Sequence, residues 1–424
     1  MNVSVIGAGK MGLPLACQFA ARGATVTACD KNAATVAAIN AGQCPIDEPG
    51  VPDMLARAVA SGALCATTDT PAAIACAKVI VVIVPVLLTS DTHADTSIIA
   101  AVTDQIAANI KSGTLVSYET TLPVGTTRVF AAQIEAGSGL HAGKDFHIAF
   151  SPERVKSQHV LEQLTHNPKV VGGINRASAD TAEQFYATYL GAPVINVGTL
   201  EAAELVKLAG MLYRDMNIAL ANQLACYAEA VGVDIHQVTR AANTDGEANL
   251  LTPGIGVGGH CTPIYPYFLI HDSAERNVPI SLAAEARLVN DYQPVRAVAR
   301  VARAAGSLQS VPVAILGLAF RPEVKEHICS PVFALATELG RHGAKVMVDD
   351  PCYSEDEIHA FGFSPIDITS AEHSPRILIL NTAHKKYATL DFAALCRRGL
   401  TIVYDGRSVW KDTALPSGLV YLCV

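Results

Sequence analysis

The stretch Asn2-Val3-Ser4-Val5-Ile6-Gly7-Ala8-Gly9-Lys10-Met11-Gly12 opens the chain and decides how the rest is read. Residues Asn2 to Ile6 form a short apolar run of the kind found in buried parallel strands. Gly7, Gly9 and Gly12 follow, then an apolar helical segment, then a second apolar run, Ala24 to Ala28, that ends at Asp30. In a strand, turn and helix of this type, Gly7 makes the tight turn and Gly9 lets a pyrophosphate approach the backbone. Gly12 lets the helix pack closely on the strand. The helix N-terminus turns free N–H groups and the positive end of its dipole toward the phosphates. Asp30 lies about 20 residues on, where a carboxylate can accept hydrogen bonds from both hydroxyls of an adenosine ribose. An acid there favours NAD over NADP, because a 2′-phosphate would meet like charge. Three glycines alone say little. Strand, helix, second strand and acid together predict a dinucleotide-binding unit.

Strand signals recur at Lys78–Val84, Thr114–Tyr118 and Phe146–Phe150, separated by helical or mixed segments, so an open and mostly parallel α/β sheet is expected. The longest apolar run, Val79 to Leu88, reads as a buried strand; it is too short to span a bilayer and contains Pro85. The pattern changes around Val194–Val197. From Leu200 to about Val231 there is no proline, and Leu205, Leu208, Leu212, Leu220, Leu224 and Tyr227 recur at helical spacing. One long helix is expected there, with further helical segments up to Ala305. A long apolar helix in mid-chain serves as a dimer interface or as a buried core helix. Val311–Leu316 restarts the strand pattern, followed by a helix at Pro331–His342 and strands at Ala344–Val348, Ile377–Leu380, Thr401–Tyr404 and Val420–Cys423. The predicted fold is α/β: two doubly wound Rossmann-like domains, 1–197 and 306–424, joined by a central long-helix domain, 198–305.

Composition narrows the function. At 424 residues, half of them hydrophobic, the chain holds two or three domains with full cores. A net charge of −8 argues against nucleic acid or an anionic membrane surface as the main partner. Any phosphate is then held locally, by backbone N–H groups and a few cations. Eleven cysteines, an odd number with no C-x-x-C pair, point to a reducing cytosol without a disulfide framework or a zinc site. The chain opens directly on a strand, with no signal peptide in view. A cytoplasmic protein without a metal is expected.

The second informative stretch is Pro253-Gly254-Ile255-Gly256-Val257-Gly258-Gly259-His260-Cys261-Thr262-Pro263. Its glycines let the backbone approach a ligand closely and lead straight into Cys261. A thiol at the end of such a turn, opening a helix, is where a thiolate can be stabilised and attack a carbonyl. An inert buried cysteine behind a flexible loop fits the same residues. Gly254, Gly256 and Gly259 also match G-x-G-x-x-G, but they follow Pro253 and no strand, so the context for dinucleotide binding is missing.

Ordered motifs along nearly the whole chain resemble the nucleotide-sugar dehydrogenases, the family of UDP-glucose, GDP-mannose and UDP-N-acetylmannosamine 6-dehydrogenases. They are GAGKMGLPLA at 7–16, INAGQCPIDEPG at 39–50, TTLPVGTT at 120–127, SPERV at 151–155, EAAELVKLAGMLYRDMNIALANQL at 201–224, PGIGVGGHC at 253–261, GLAFRP at 317–322 and DGR at 405–407. The string YRDMNIALAN with GVGGHC is most similar to the UDP-N-acetylhexosamine branch. The resemblance implies two successive hydride transfers to NAD that turn a sugar C6 alcohol into a carboxylate, and a homodimer through the central helix. Cys261 would hold the intermediate as a thiohemiacetal and then a thioester, Lys207 would stabilise the oxyanion, and Glu153 would assist thioester hydrolysis. Thr121 would position water or substrate. For NAD the resemblance implies Gly7, Gly9, Lys10, Met11, Gly12, Asp30 and Thr121. For the nucleotide sugar it implies Glu153, Arg154, Lys207, Arg214, Asn217, Gly258, Gly259, Arg321 and Arg407. Read without the family, Lys207 with Glu204 also fits a surface i,i+3 pair, and Glu153-Arg154 a solvated turn.

Several positions depart from the family pattern. An asparagine four residues after the lysine is here Met211, and an aspartate four residues after the cysteine is Tyr265. Met211 cannot donate to an oxyanion, and a phenol with a pKa near 10 cannot replace a carboxylate base at neutral pH. A sugar-reading arginine aligns with Glu247, and the third domain carries Arg321 for lysine and Ile328, beside Cys329, for arginine. Val86 stands for a threonine. Three readings stay open: a 6-dehydrogenase making a uronic-acid-type product, a single-step alcohol dehydrogenase on this scaffold, and a weakly catalytic binding paralogue.

Overall fold

Residues 1–370 and 375–424 are described by the computed structural model, and they divide into two units. One comprises Met1–Gly210 with Tyr267–Val278; the other comprises Met211–Pro266 with Pro279–Val424.

The first unit is built on an eight-stranded sheet. From one edge to the other its strands are Val194–Thr199, Lys169–Gly173, His147–Phe150, Leu115–Tyr118, Val79–Val82, Asn2–Ile6, Thr25–Cys29 and Leu64–Thr67. The pairs are parallel except that between His147–Phe150 and Lys169–Gly173. Val5 sits between Ala28 and Val81, and all three are fully buried. Burying a side chain of valine size is worth about 1.5–3 kcal/mol, so the opening apolar run fixes the register of the sheet centre. Three strands of this sheet, Leu64–Thr67, Lys169–Gly173 and Val194–Thr199, were not among those predicted; the first is four residues long, the second ends in two glycines, and the third stands where only a change of pattern was read.

The single strand expected over Val79–Leu88 is corrected. The strand stops at Val82, and the last ladder bond is Ile83 N–H to Ile6 C=O, 2.9 Å. Pro85 has no N–H to offer a ladder. Leu87–Leu88 instead pairs antiparallel with Ala94–Asp95. The turn of this hairpin grips the helix Tyr265–Glu275: Thr92 Oγ1 lies 2.8 Å from His271 Nε2, and the His93 ring stacks on His271 at 3.8 Å.

The long helix runs Leu200–Val231, as the sequence pattern predicted. Its start, up to Gly210, belongs to the first unit. There Glu204 is fully buried and caps another helix from a distance. Its carboxylate accepts the N–H of Gly125 (2.6 Å) and the N–H and hydroxyl of Thr127 (2.8 and 2.6 Å). Those groups form the N-terminus of the helix Thr126–Ser138, whose own N-cap residue is Gly125 and has no side chain to use. Burial raises the Glu204 pKa, and the bonds from Thr127 and Gly125 only partly offset it. Glu204→Ala is expected to cost about 2 kcal/mol, the loss of a cap together with unsatisfied buried donors. A urea unfolding midpoint unchanged from wild type would refute this.

The second unit holds a six-stranded, all-parallel sheet in the order Ser364–Pro365, Lys345–Asp349, Pro312–Leu316, Ile377–Leu380, Ile402–Asp405 and Val420–Cys423. The helices Ser281–Ala305 and Pro331–Arg341 pack on it through Val298, Val301, Leu335 and Leu339, all fully buried. No helix among the described residues is long and apolar enough to cross a membrane.

Candidate active site

The opening glycine loop has the shape a dinucleotide needs. A Cβ on Gly7, whose φ is +106°, would lie 2.4 Å from the Ile83 carbonyl oxygen, and one on Gly12 would lie 1.8 Å from the Gly7 carbonyl oxygen. Both positions therefore require glycine. Nothing lies within 4 Å of a Cβ on Gly9, so the backbone is open where a pyrophosphate would approach. Met11 packs on the core while Lys10 is exposed beside the helix start. The Asp30 carboxylate accepts the N–H of Ala8 (3.2 Å) and of Asn32 (2.9 Å), which orients it at the end of its strand beside the loop. These residues fit NAD. Asp30→Ala is expected to weaken NAD binding by about 10- to 100-fold, since hydrogen bonds to a charged group are worth about 1.5–3 kcal/mol. Calorimetric titration with NAD checks it, and a dissociation constant within a factor of two of wild type would sink it.

The same unit brings Lys207 and Glu153 together. Lys207 is 6% exposed, its ammonium donating to the Glu153 carbonyl at 2.6 Å and lying 3.8 Å from the Glu153 carboxylate. The surface i,i+3 pair with Glu204 is thereby excluded, because both residues are buried and Glu204 is engaged elsewhere. Glu153 is fixed in turn: its N–H reaches the Glu119 carbonyl at 3.3 Å, and its carboxylate accepts the Val155 N–H. Arg154 is exposed and donates to the Pro168 carbonyl. Thr121 is buried in the loop that follows the strand Leu115–Tyr118.

Behind this turn lies an ion pair that no local sequence pattern marks. Lys169 donates to the Glu119 carboxylate, which also accepts the Tyr186 hydroxyl at 2.7 Å; all three are buried. Glu119 lies 50 residues from Lys169 and 67 from Tyr186, so no local spacing announces the group.

The second unit holds the glycine–cysteine loop at several points. Gly254 N–H donates to Asn222 Oδ1 (2.9 Å), Ile255 N–H to the Gly406 carbonyl (3.1 Å), and Gly259 N–H to the Ile328 carbonyl (2.8 Å). The Phe320 side chain lies against the turn: a Cβ on Gly258 would meet its Cβ at 2.3 Å, and one on Gly259 its ring at 3.1 Å. Arg407 approaches Gly254 as closely, with a guanidinium nitrogen 2.7 Å from where a Cβ would stand, and its Nε donates to the Asn381 carbonyl at 2.6 Å. Desolvation pushes the Arg407 pKa down to about 10, which still leaves it charged at neutral pH. The loop delivers the half-buried Cys261 to the entry of the helix Tyr265–Glu275, its carbonyl accepting the N–H of Ile264 (3.2 Å) and Tyr265 (2.9 Å).

Other expected substrate residues are placed differently. Asn217 spends its amide on the segment before the loop, donating to the Asn249 carbonyl (2.6 Å) and accepting from Leu251 N–H (3.0 Å). Arg214 and Glu247 are exposed, while Met211, Tyr265, Arg321 and Ile328 are half-buried.

Arg321 lies in a loop anchored by Asp350. The Asp350 carboxylate accepts the N–H of Leu318 (2.7 Å) and Ala319 (2.8 Å). Burial alone would raise its pKa, but His384 and the surrounding N–H groups hold it below the usual range. Asp350, Cys352 and His384 do offer three ligand atoms within 4.8 Å of one another. However, the Glu323 N–H donates to His384 Nδ1 at 3.1 Å, so the ring proton sits on Nε2, 3.3 Å from Asp350. That is the nitrogen an ion would have to take, and the cluster is better suited to fixing the loop than to binding metal.

Comparison with known proteins agrees along the whole chain. Residues 1–190 match the UDP-glucose/GDP-mannose dehydrogenase family, NAD binding domain; residues 201–292 match its central domain and 314–412 its UDP binding domain. The chain is 32% identical to the NDP-N-acetyl-D-galactosaminuronic acid dehydrogenase of Ralstonia solanacearum, covering 98% of this chain and 97% of that one. Among solved structures, the UDP-D-ManNAc dehydrogenase of Pyrococcus horikoshii is similar with a TM-score of 0.91 and 28% identity, covering 100% of this chain and 99% of that one. A UDP-glucose dehydrogenase of Pyrobaculum islandicum gives 0.90 and 28%, with 99% and 96% covered.

Proposed function

Since the chain belongs to the UDP-glucose/GDP-mannose dehydrogenase family, we propose that it oxidises the C6 hydroxyl of a UDP-linked sugar, of the N-acetylhexosamine kind, to a carboxylate. It is an NAD-dependent oxidoreductase of nucleotide-linked sugars; the sugar, the extent of oxidation and the residue roles make up the proposal. The observation that carries the roles is the buried Lys207 ammonium held against Glu153. A buried, directed cation beside a carboxylate suits an oxyanion that forms and a water that must lose a proton.

NAD supplies hydride acceptance, once per oxidation. Cys261 Sγ adds to the C6 aldehyde to give a thiohemiacetal, whose oxidation leaves a thioester. Lys207 stabilises the oxyanion of each tetrahedral species. Glu153 takes the proton of the water that cleaves the thioester, returning the thiol and the acid, and Thr121 positions that water. Asp30 and the loop Gly7–Gly12 orient the cofactor. Arg321 and Arg407 are assigned to the nucleotide sugar, as are Gly258 and Gly259, with Arg154, Arg214 and Asn217 in supporting places.

The proposal keeps the functional division 1–197, 198–305 and 306–424, a cytoplasmic setting, and a homodimer through the long helix. Tyr213, Leu220 and Tyr227 recur every seven residues on that helix and are 55%, 46% and 68% exposed, an apolar stripe that a second copy would cover. Met211 and Tyr265 favour a second reading, in which hydrolysis is crippled and one oxidation releases an aldehyde. Counting NADH per sugar over a panel of UDP- and GDP-linked sugars separates the two. Two NADH with an acid product is the expected result; one NADH with an aldehyde product replaces it by the second reading.

A further inference from the structure

Away from the residues assigned to catalysis, the second unit carries a cavity of about 390 Å³ between the end of the long helix and the helix Ser281–Ala305. That volume lies within the range of small-metabolite pockets, about 300–1,000 Å³. Its walls include Cys226, Tyr292, Glu229, Arg296, Arg300 and Arg303. The three arginines lie on one face of their helix, at spacings of four and three residues. Glu229, the sole carboxylate among the described residues of that wall, bridges two of them, Arg296 at 2.5 Å and Arg300 at 2.6 Å. Arg300 is further committed to the Cys423 carbonyl at 2.6 Å and to the face of Tyr404. Arg296 and Arg300 expose only 15% and 14% of their side chains, whereas Arg303 is exposed at the rim.

Three guanidinium groups against one carboxylate leave two positive charges in excess, in a chain whose net charge is −8. A surplus of this sign is costly to collect and hold in one concavity unless something anionic offsets it. The excess also sits apart from the apolar stripe. At about 100° per residue, Cys226 and Glu229 project roughly a third of a turn or more away from Tyr213, Leu220 and Tyr227. A second copy seated on that stripe would not by itself fill the cavity.

We propose that this cavity binds the phosphate or pyrophosphate group of a small metabolite, at a site separate from those for NAD and the nucleotide sugar. Arg296 and Arg303 grip the oxyanion through paired N–H donors, the geometry guanidinium groups offer best. Arg300 acts as the fixed post between them. Glu229 competes with the ligand for Arg296.

Titration calorimetry of the full chain with inorganic pyrophosphate tests this, with NAD and UDP already saturating so that their sites are filled, and at constant ionic strength. One saturable site per chain is expected. Arg303→Glu should weaken it at least tenfold, and Glu229→Gln should tighten it severalfold, with NAD affinity unchanged in both. A purely structural arginine–glutamate network would not move pyrophosphate affinity in opposite directions in these two variants. Absence of saturable heat beyond a matched chloride titration overturns the proposal, as does equal binding by wild type and Arg303→Glu.

Discussion

Cys261→Ala is expected to lower formation of the acid product by at least about 10³-fold on any nucleotide sugar the wild type turns over, since it removes the nucleophile of the proposed covalent mechanism. The size follows from what the thiol does. Hydride leaves a tetrahedral alkoxide readily but a free aldehyde not at all, so the second oxidation needs an adduct. The loop's hydrogen bonds from Gly254, Ile255 and Gly259, with Phe320 against its glycines, fix where that adduct forms. Cys261→Ser sharpens the test, because a serine adduct would end as an oxygen ester that is cleaved more slowly than a thioester. Its expected behaviour is a burst of about two NADH per active site, one for each oxidation that leads to the ester, then a stall. Acid production by Cys261→Ala at the wild-type rate would rule out the thioester route.

The fold was legible because its decisive signals are local. A glycine pattern between two apolar runs identified the first unit, and an uninterrupted helical period located Leu200–Val231. Where the sequence misled, short-range pattern competed with something it cannot show. Val79–Leu88 is apolar throughout, yet Pro85 turns the chain and Leu87–Leu88 pairs in its own hairpin. The candidate site was legible in the groups proposed to react and opaque in their supports. Lys207, Glu153 and Cys261 stand in recognisable strings, whereas Glu204, Lys169 and Asn222 act through partners 32 to 79 residues away. Glu204 showed only as a neighbour of Lys207 at helical spacing; its carboxylate in fact turns to a different helix.

Arg287→Leu is expected to destabilise the second unit by about 3–5 kcal/mol, the usual cost of leaving one member of a buried ion pair behind. Arg287 is 2% exposed and donates to Asp215 at 2.6 Å, and Asp215 is fully buried. Burial already raises the Asp215 pKa, against the lowering effect of Arg287. Without the arginine it rises further, so the variant's folded state favours the neutral acid. The sign of the pH dependence follows. Stability from a raised acid is present below the unfolded pKa, about 3.9, and is lost as pH rises through the folded one. The deficit of Arg287→Leu should therefore be smaller at pH 5 than at pH 8, and Asp215→Asn added to it should recover part of the loss at pH 8. Asp291, a further partner of Arg287, is 55% exposed and is rehydrated at little cost. The pair also bears on the thiol loop. Asn290 donates to Asp215 at 2.8 Å, Asn222 to Asn290 at 3.0 Å, and Gly254 to Asn222 at 2.9 Å, one chain of hydrogen bonds from the ion pair to the segment that carries Cys261. Activity should accordingly fall in the variant at temperatures where it is still folded. The fluorescence of Trp410, the chain's single tryptophan and buried in this same unit, reports the unfolding. An unfolding free energy from urea titration within about 0.5 kcal/mol of wild type at pH 8, where ordinary surface substitutions fall, would show that Asp215 is not held as a charge and would break the link from the pair to the loop.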